Sequence, residues 1–149
     1  IDPFLNGVAS LLEKIKTKKI SNIYIYHGDG RSFLKGLPKN SISETCILFP
    51  DPWPKFKHES RRIIQREFLN KLSEVMASNS FVYTSSDNHI AQTWMLKTFL
   101  YNKNFEWIVK DINQIYTKPD FFEDTKYFKK SLKEGRQVSW LKFKNIKEY

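Results

Sequence analysis

The spacing of apolar side chains divides the sequence into alternating helical and extended stretches. Val8, Leu11, Leu12 and Ile15 recur at intervals that match the helical period, which predicts a helix over residues 5–18. Short apolar or β-branched runs that are bounded by proline, glycine or polar residues predict strands. Further helices are predicted over residues 32–37, 59–77 and 90–101, and strands over residues 22–26, 46–49, 80–83, 105–109 and 137–143.

The order of these elements favours an α/β fold. Strands that alternate with helices usually form a parallel sheet with right-handed crossovers. The sequence contains no internal repeat, and no stretch is rich enough in glycine or serine to act as a linker between domains. We therefore expect a single domain over residues 1–149.

Charge and length narrow the range of partners. The chain has 149 residues, enough for one hydrophobic core, and its net charge is +9. A strongly basic surface favours nucleic acid or an acidic membrane as the partner. A proteome that is generally rich in lysine would produce the same excess of positive charge without such a partner. No run approaches the roughly 18–20 apolar residues that span a bilayer, and no signal peptide is visible. We expect a cytoplasmic protein with no membrane segment.

The single cysteine, Cys46, lies within an apolar run that is predicted to be a strand. A lone cysteine cannot form an internal disulfide. The position therefore predicts a buried thiol in a protein of a reducing compartment.

The most distinctive stretch is the run Phe49–Lys55, which reads Phe-Pro-Asp-Pro-Trp-Pro-Lys and follows a predicted strand. Each proline fixes its own φ and pushes the preceding residue toward an extended conformation. Asp51 is thus predicted to lie on a stiff loop at the carboxyl end of a strand, where open α/β sheets bind ligands. An isolated Asp-Pro pair is usually only a turn, but this combination of residues is much less generic.

The same run, followed by Lys57-His58 and Arg61-Arg62, resembles the signature of the tRNA (guanine-N7)-methyltransferases. The resemblance extends from Ile1 almost to Tyr149. It implies a Rossmann-like class I fold whose last strand enters the sheet antiparallel. It also implies S-adenosylmethionine as the cofactor, and transfer of its methyl group to N7 of a guanosine in the variable loop of tRNA.

The sequence departs from that family at its beginning. Family members carry a first strand and a loop that reads roughly Glu-Ile-Gly-x-Gly-x-Gly, whereas the five glycines of this chain are scattered. By the resemblance, Ile1-Asp2 corresponds to the end of the second strand, so the first strand and the glycine-rich loop are lacking here. We expect a fragment of a longer protein, or abnormal packing with unpaired strand edges in the sheet.

The resemblance assigns three carboxylates to the cofactor side of the site. Asp2 corresponds to the acid that binds the ribose hydroxyls, and Asp29 to the acid at the adenine end. From the residues alone, Asp2 could equally cap a helix, and Asp29 fits a simple Gly-Asp-Gly turn. Asp51 corresponds to the catalytic position beside the methyl donor. Guanine N7 already carries a lone pair, so the expected role of Asp51 is positioning and charge stabilisation.

Basic residues follow the loop and are predicted to contact the substrate. Lys55 matches a substrate-contacting position of the family, and the cations after it extend a basic strip that could bind phosphates or could be only a solvated helix face. His58 has no second ligand at helical spacing, so we expect no metal site. The strip consists of Lys55, Lys57, His58, Arg61, Arg62 and Arg66.

Two further motifs complete the predicted substrate site. Asp87 matches an acid that accepts hydrogen bonds from the target guanine, with a helix cap as the alternative. Thr125, Lys126 and Phe128 fall on the family's Thr-x-Phe/Tyr-Glu element. Phe128 stands where the family has glutamate, which places one contact in doubt.

The sequence alone leaves two other functions open. The chain could be a non-catalytic remnant or a basic module that only binds RNA. It could also be a different class I methyltransferase, although amino-methylating relatives carry Asn/Asp-Pro-Pro-Tyr/Phe in place of Pro-Asp-Pro-Trp. Both a monomer and a homodimer are compatible with the sequence.

Overall fold

Helices and short strands alternate along the chain in a computed structural model that describes residues 1–148. The structure divides into two units, Ile1–Leu37 and the remainder from Pro38 onward. The expectation of a single domain stays a prediction.

The structure contains five α-helices, four strands and two 3₁₀ helices within residues 1–148. Helices α1 to α5 are Leu5–Lys18, Gly30–Lys35, Arg66–Val75, His89–Leu100 and Lys126–Lys133. Strands β1 to β4 are Ile42–Leu48, Met76–Ser86, Phe105–Trp107 and Ser139–Asn145, and the two 3₁₀ helices are Phe56–Arg61 and Ile112–Tyr116.

The second unit contains a four-stranded sheet with the order β1-β2-β4-β3. β1 and β2 are parallel, and β4 is antiparallel to both β2 and β3. The α/β class and the antiparallel last strand are therefore confirmed. Because Leu48 pairs with Ser85 and Ser86 pairs with Ser139, β1 and β2 end beside the start of β4. Loops that leave this carboxyl edge are brought close together.

The core of this unit lies between the sheet and helices α3 and α4. Phe99 of α4 stacks on Phe143 of β4 with ring centroids 3.9 Å apart, and Phe105 meets the Phe99 ring at 5.1 Å. Leu69 and Val75 of α3 are fully buried. Removal of a large apolar side chain from such a core typically costs about 2–5 kcal/mol, so this packing fixes the sheet that carries the loops.

The first unit contains α1 and α2. α1 runs over Leu5–Lys18 as predicted. The strand predicted over residues 22–26 is wrong: within residues 1–148, the only extended pairing near it is an isolated parallel bridge between Asp2 and His27. A strand is stable only with a neighbour that accepts its hydrogen bonds. Tyr24, at the centre of the stretch, is 94% exposed.

The long helix predicted over residues 59–77 is also wrong in its bounds. The chain forms a 3₁₀ helix up to Arg61, becomes extended at Arg62 and begins α3 only at Arg66. At the other end, β2 already starts at Met76. The apolar stripe that suggested the helix is nevertheless buried, so the periodicity identified the right face but not the break.

Strand β1 has one strand neighbour within the described part of the chain, which is β2. Cys46 lies on β1 opposite Tyr83 and is exposed, so the prediction of a buried thiol is wrong. Its apolar sequence neighbours suggested a strand enclosed on both sides. The structure shows this strand at the edge of the sheet instead.

The environment of Cys46 makes it a slow nucleophile. Partial desolvation and then the nearby charge of Glu44 raise the pKa of the Cys46 thiol to about 11. Only the thiolate reacts with alkylating agents, and the greater nucleophilicity of a high-pKa thiolate offsets part of the loss. We expect Cys46 to react with iodoacetamide at pH 8 roughly tenfold more slowly than an unperturbed cysteine. Mass spectrometry of a time course would measure this, and Glu44→Gln should accelerate the reaction.

Candidate active site

The loop after β1 holds Asp51 in a restrained backbone. Phe49 and Trp53, on either side of Asp51, have φ values of 50° and 40°, which bulky residues rarely adopt. The Phe49 N–H donates to the Ser85 carbonyl oxygen at 2.8 Å and so ties the start of the loop to β2. Backbone strain of this kind persists only where surrounding contacts enforce it, and it is concentrated at functional sites.

Asp51 itself is exposed at the mouth of a shallow pocket beside α4. Across residues 1–148 its carboxylate has no hydrogen-bond or ion-pair partner. Unlike a typical turn aspartate, it does not bond the backbone that follows. The carboxylate is therefore available to a ligand.

Arg62 supports the Asp51 loop from the protein interior. The sequence predicted instead a surface cation that contacts the substrate. The residue is 6% exposed, so it does not belong with the surface cations of the predicted strip. Its Nε donates to the carbonyl oxygens of Pro52 and Trp53 at 3.2 and 3.3 Å, and its Nη2 donates to Trp53 at 3.1 Å. The guanidinium also lies over the Trp94 ring, 4.5 Å from its centroid. Arg62 positions the Asp51 loop.

The other cations of the strip are on the surface around the first 3₁₀ helix. Arg61 lies over the Trp53 ring at 4.9 Å, and His58 packs edge-on against the same ring at 5.6 Å. Phe56 is 86% exposed between two lysines, although the sequence analysis gave it no role. Four members of the strip are exposed: Lys55, Lys57, Arg61 and Arg66.

Asp87, at the end of β2, is bound by two side chains that follow much later in the sequence. Its Oδ2 accepts hydrogen bonds from Ser131 Oγ and Arg136 Nε, both at 2.6 Å. Burial alone would raise the pKa of Asp87, but the hydrogen bonds from Ser131 and Arg136 and the charge of Arg136 together lower it. The helix cap is supplied by Asn88 instead, whose Oδ1 accepts from the N–H groups of Ile90 and Ala91.

This cluster should contribute to acid sensitivity. A carboxylate whose pKa is lowered by folding stabilises the folded state above its unfolded pKa of about 3.9, and that contribution is lost as the pH falls through the lower, folded pKa. We expect the wild-type chain to lose more stability than Asp87→Asn between about pH 5 and pH 2. Urea unfolding at a series of pH values would measure it, and parallel curves would contradict the assignment.

The Thr125–Phe128 element begins α5 and reaches the same edge of the sheet. Thr125 caps the helix by accepting the Phe128 N–H at 3.1 Å, while Lys126 is exposed. Tyr127 stacks on Phe49, the residue that starts the Asp51 loop, with centroids 6.0 Å apart. Phe128 packs against Trp140 at 5.7 Å. The structure thus brings the Asp51 loop, Asp87 and α5 to one edge.

The two predicted cofactor acids lie in the first unit, at the ends of neighbouring segments. Asp2 accepts the Phe4 N–H on Oδ1 at 2.8 Å, and an added Cβ at Gly7 would come within 2.3 Å of Oδ2. Glycine at this position therefore leaves room for the Asp2 carboxylate. Asp29 caps α2 by accepting the Arg31 N–H at 2.7 Å.

Sequence reasoning missed three residues of this edge: Ser131, Arg136 and Trp140. An antiparallel last strand must start beside the end of β2, and that rule could have placed Arg136 near Asp87. Ser131 had no comparable signal, because α5 itself was not predicted. Within residues 1–148, no group of three His, Cys, Asp or Glu side chains is arranged to hold a metal ion, and no helix is long and apolar enough to cross a bilayer.

The fold resembles that of a solved SAM-dependent O-methyltransferase from Thermotoga maritima. The TM-score is 0.51 at 14% sequence identity, over 97% of this chain and 48% of the other. With the sheet order described above, this likeness shows a Rossmann-like α/β fold.

The sequence is more specific. A family described as "Putative methyltransferase" matches residues 1–141, and the chain belongs to this family. It is 35% identical over 147 residues to the tRNA (guanine-N(7)-)-methyltransferase of Wolbachia pipientis wMel, covering 95% of this chain and 61% of that protein. The enzyme of the same name from Jannaschia sp. strain CCS1 is 33% identical over 144 residues, covering 95% and 60%. The chain spans about 60% of the length of these relatives.

Proposed function

We propose that this chain transfers a methyl group from S-adenosylmethionine to N7 of a guanosine in tRNA. The observation that carries the proposal is the Asp51 loop, which presents an unpartnered carboxylate from a strained, anchored backbone at the carboxyl edge of the sheet. The names of the relatives support the reaction and the substrate.

The chemistry requires positioning more than proton transfer. Guanine N7 carries an in-plane lone pair, so the site has to align that atom with the sulfonium methyl group of the donor. A carboxylate fixed beside the reacting atoms stabilises the positive charge that develops on the purine. Asp51 has both the exposure and the rigid support for this role.

We infer that Asp87 receives the base. Both hydrogen bonds from Ser131 and Arg136 go to Oδ2, which leaves Oδ1 to accept from guanine N1–H or N2–H₂. The lowered pKa of Asp87 keeps the carboxylate ionised, so that both oxygens serve as acceptors. Thr125 and Lys126 lie on α5, which also carries Ser131, and they would complete the substrate contacts.

We infer that the exposed cations bind the tRNA backbone. Lys55 precedes the first 3₁₀ helix and Lys57 lies within it; both are exposed next to the Asp51 loop, and the chain carries a net charge of +9. Contacts of this kind position the RNA and make its affinity fall as salt increases. A substrate of this kind also favours a cytoplasmic location.

The competing function is RNA binding without catalysis. It is favoured by the exposed cations Lys55, Lys57 and Arg66, because basic side chains can bind phosphates without any cofactor. In that case the basic surface would act alone, and Asp2 and Asp29 would serve only to accept the backbone N–H groups of Phe4 and Arg31.

One pair of measurements separates these functions. Calorimetry with S-adenosylmethionine tests the cofactor site, and incubation of the chain with labelled donor and unmodified tRNA tests transfer. We expect cofactor binding and N7-methylguanosine, which is detected as a site of chemical strand cleavage. Salt-sensitive tRNA binding with neither result would establish the non-catalytic module.

A further inference from the structure

The first 3₁₀ helix begins with Phe56, the most exposed phenylalanine in the described part of the chain. Within residues 1–148 its ring makes no aromatic or cation–π contact. A phenylalanine left in water forgoes the stabilisation that burial of its ring would bring. Because single exposed apolar residues are common, the surroundings of Phe56 decide whether its ring has a ligand.

Positive charge lies on both sides of this ring in the sequence. Lys55 and Lys57 are exposed, and neither has an ion-pair partner within the described residues. A ligand that matches this order presents a flat apolar group between negative charges. A single strand of nucleic acid has that chemistry, because its planar bases project from a chain of phosphates.

Trp53, the nearest other large aromatic residue of this segment, already packs against its neighbours. The Arg61 guanidinium lies over the Trp53 ring, 4.9 Å from its centroid, and His58 meets the same ring edge-on at 5.6 Å. The Trp53 side chain is half-buried as a result. Phe56 is therefore the aromatic ring that the segment leaves open to a ligand.

The segment that carries Phe56 is fixed to the second unit on both sides. Before the 3₁₀ helix, the Trp53 carbonyl oxygen accepts a hydrogen bond from Arg62 Nη2 at 3.1 Å. Within the helix, the Glu59 carbonyl oxygen accepts from Gln65 Nε2 at 2.8 Å. A ring on an anchored backbone has less conformational freedom to lose when a ligand binds.

Phe56 also lies near the proposed catalytic carboxylate. It follows Asp51 by five residues, and five fully extended residues span at most about 18 Å. A nucleotide in contact with Phe56 is therefore close to the guanosine that reaches Asp51.

We propose that Phe56 stacks on an unpaired nucleobase of the RNA substrate near the target guanosine, with Lys55 and Lys57 facing the phosphates around that base. The inference rests on the proposed function, because it names the part of the RNA that this surface holds. Unpaired nucleotides are those whose bases can turn outward to meet an aromatic side chain. Stacking accepts any base, since each has a π-face.

The test compares two tRNA transcripts. One is unmodified, and the other carries abasic nucleotides at the unpaired positions that flank the target guanosine. We expect the wild-type chain to bind the first about 5- to 150-fold more tightly, the range that stacking of one base supplies. Fluorescence anisotropy at a fixed salt concentration measures both affinities.

Variants of Phe56 identify the contact. Phe56→Ala should bind the unmodified transcript about 5- to 150-fold more weakly and lose the preference over the abasic one. Its affinity should keep the wild-type dependence on salt, because stacking releases no counterions. Phe56→Tyr should restore the preference, whereas Phe56→Leu should not, since leucine is apolar but has no π-face. Lys57→Gln should retain the preference and reduce the salt slope by about one.

Tyr101→Ala is the matched control. Tyr101 is another strongly exposed aromatic residue of the second unit, and it follows the last residue of α4. Because α4 starts beside the carboxyl end of β2 and rises roughly 18 Å over its length, Tyr101 lies far from that edge. Its loss should change neither affinity, and thermal unfolding of each variant verifies the fold.

The possible failures are distinguishable. Equal affinity of the wild-type chain for the two transcripts would overturn the stacking contact and leave the proposed function intact. Absence of binding to either transcript would contradict both. A preference that survives Phe56→Ala would place the base elsewhere, and full activity of Phe56→Leu in binding would make the contact merely apolar; either result would overturn the assignment to Phe56.

Discussion

Asp51→Ala should lower the rate of methyl transfer to tRNA by about 100-fold or more, while the dissociation constant for tRNA changes by less than about threefold. In the proposed reaction the Asp51 carboxylate stabilises the charge that develops on the purine, and it has no structural partner within residues 1–148 to lose. Its replacement should therefore leave the loop and the basic surface unchanged. Single-turnover assays with labelled donor, together with filter binding of tRNA, separate the two effects.

Glu67→Ala provides the matched control for Asp51. Glu67 is another exposed carboxylate of the second unit, in the first turn of α3, and it lies outside the proposed site. Its removal should change neither rate nor affinity. Near-wild-type turnover by Asp51→Ala would remove the catalytic assignment, and a parallel loss of tRNA affinity would make Asp51 a binding residue.

The sequence predicted those parts of the molecule that depend on local pattern. The apolar spacing identified α1, and the apolar run before Phe49 placed Asp51 at the end of β1. The expectation that each proline makes the preceding residue extended is wrong for Phe49, because its φ is 50° where its N–H is tied to the Ser85 carbonyl oxygen. The alternation of elements and the family resemblance together gave the antiparallel last strand.

Contacts between residues distant in sequence could not be predicted in the same way. Arg62 looked like one cation of a surface strip, since the pattern of charges does not show a side chain turned back to carbonyls nine and ten residues earlier. Asp87 is joined to Arg136 across 49 residues. The residues around Cys46 in the sequence are apolar, yet its side chain is exposed because β1 lies at the edge of the sheet.

These differences change how the basic region is understood. The two consecutive arginines of the signature have separate tasks, because Arg61 lies on the surface over Trp53 while Arg62 is buried under the loop. Positive charge near Asp51 thus contributes both to the shape of the loop and to its expected affinity for RNA. The two contributions can be measured independently.

Arg62→Met should destabilise the chain by about 2–4 kcal/mol. Methionine retains apolar contact with Trp94, but it cannot donate to the carbonyl oxygens of Pro52 and Trp53, which would be left without these bonds. Hydrogen bonds to a charged group are worth about 1.5–3 kcal/mol, and a desolvated cation–π contact adds up to about 2 kcal/mol. Urea unfolding followed by tryptophan fluorescence gives the free energy of unfolding.

Arg66→Met is the control for this prediction, because Arg66 is exposed at the start of α3 and its loss should cost within about 0.5 kcal/mol. RNA binding distinguishes the two roles further. A phosphate contact contributes about one unit to the slope of affinity against salt. If Arg62→Met left stability unchanged and reduced that slope, Arg62 would be a phosphate ligand. We expect the opposite, because its guanidinium is buried and already bonded to the backbone that positions Asp51.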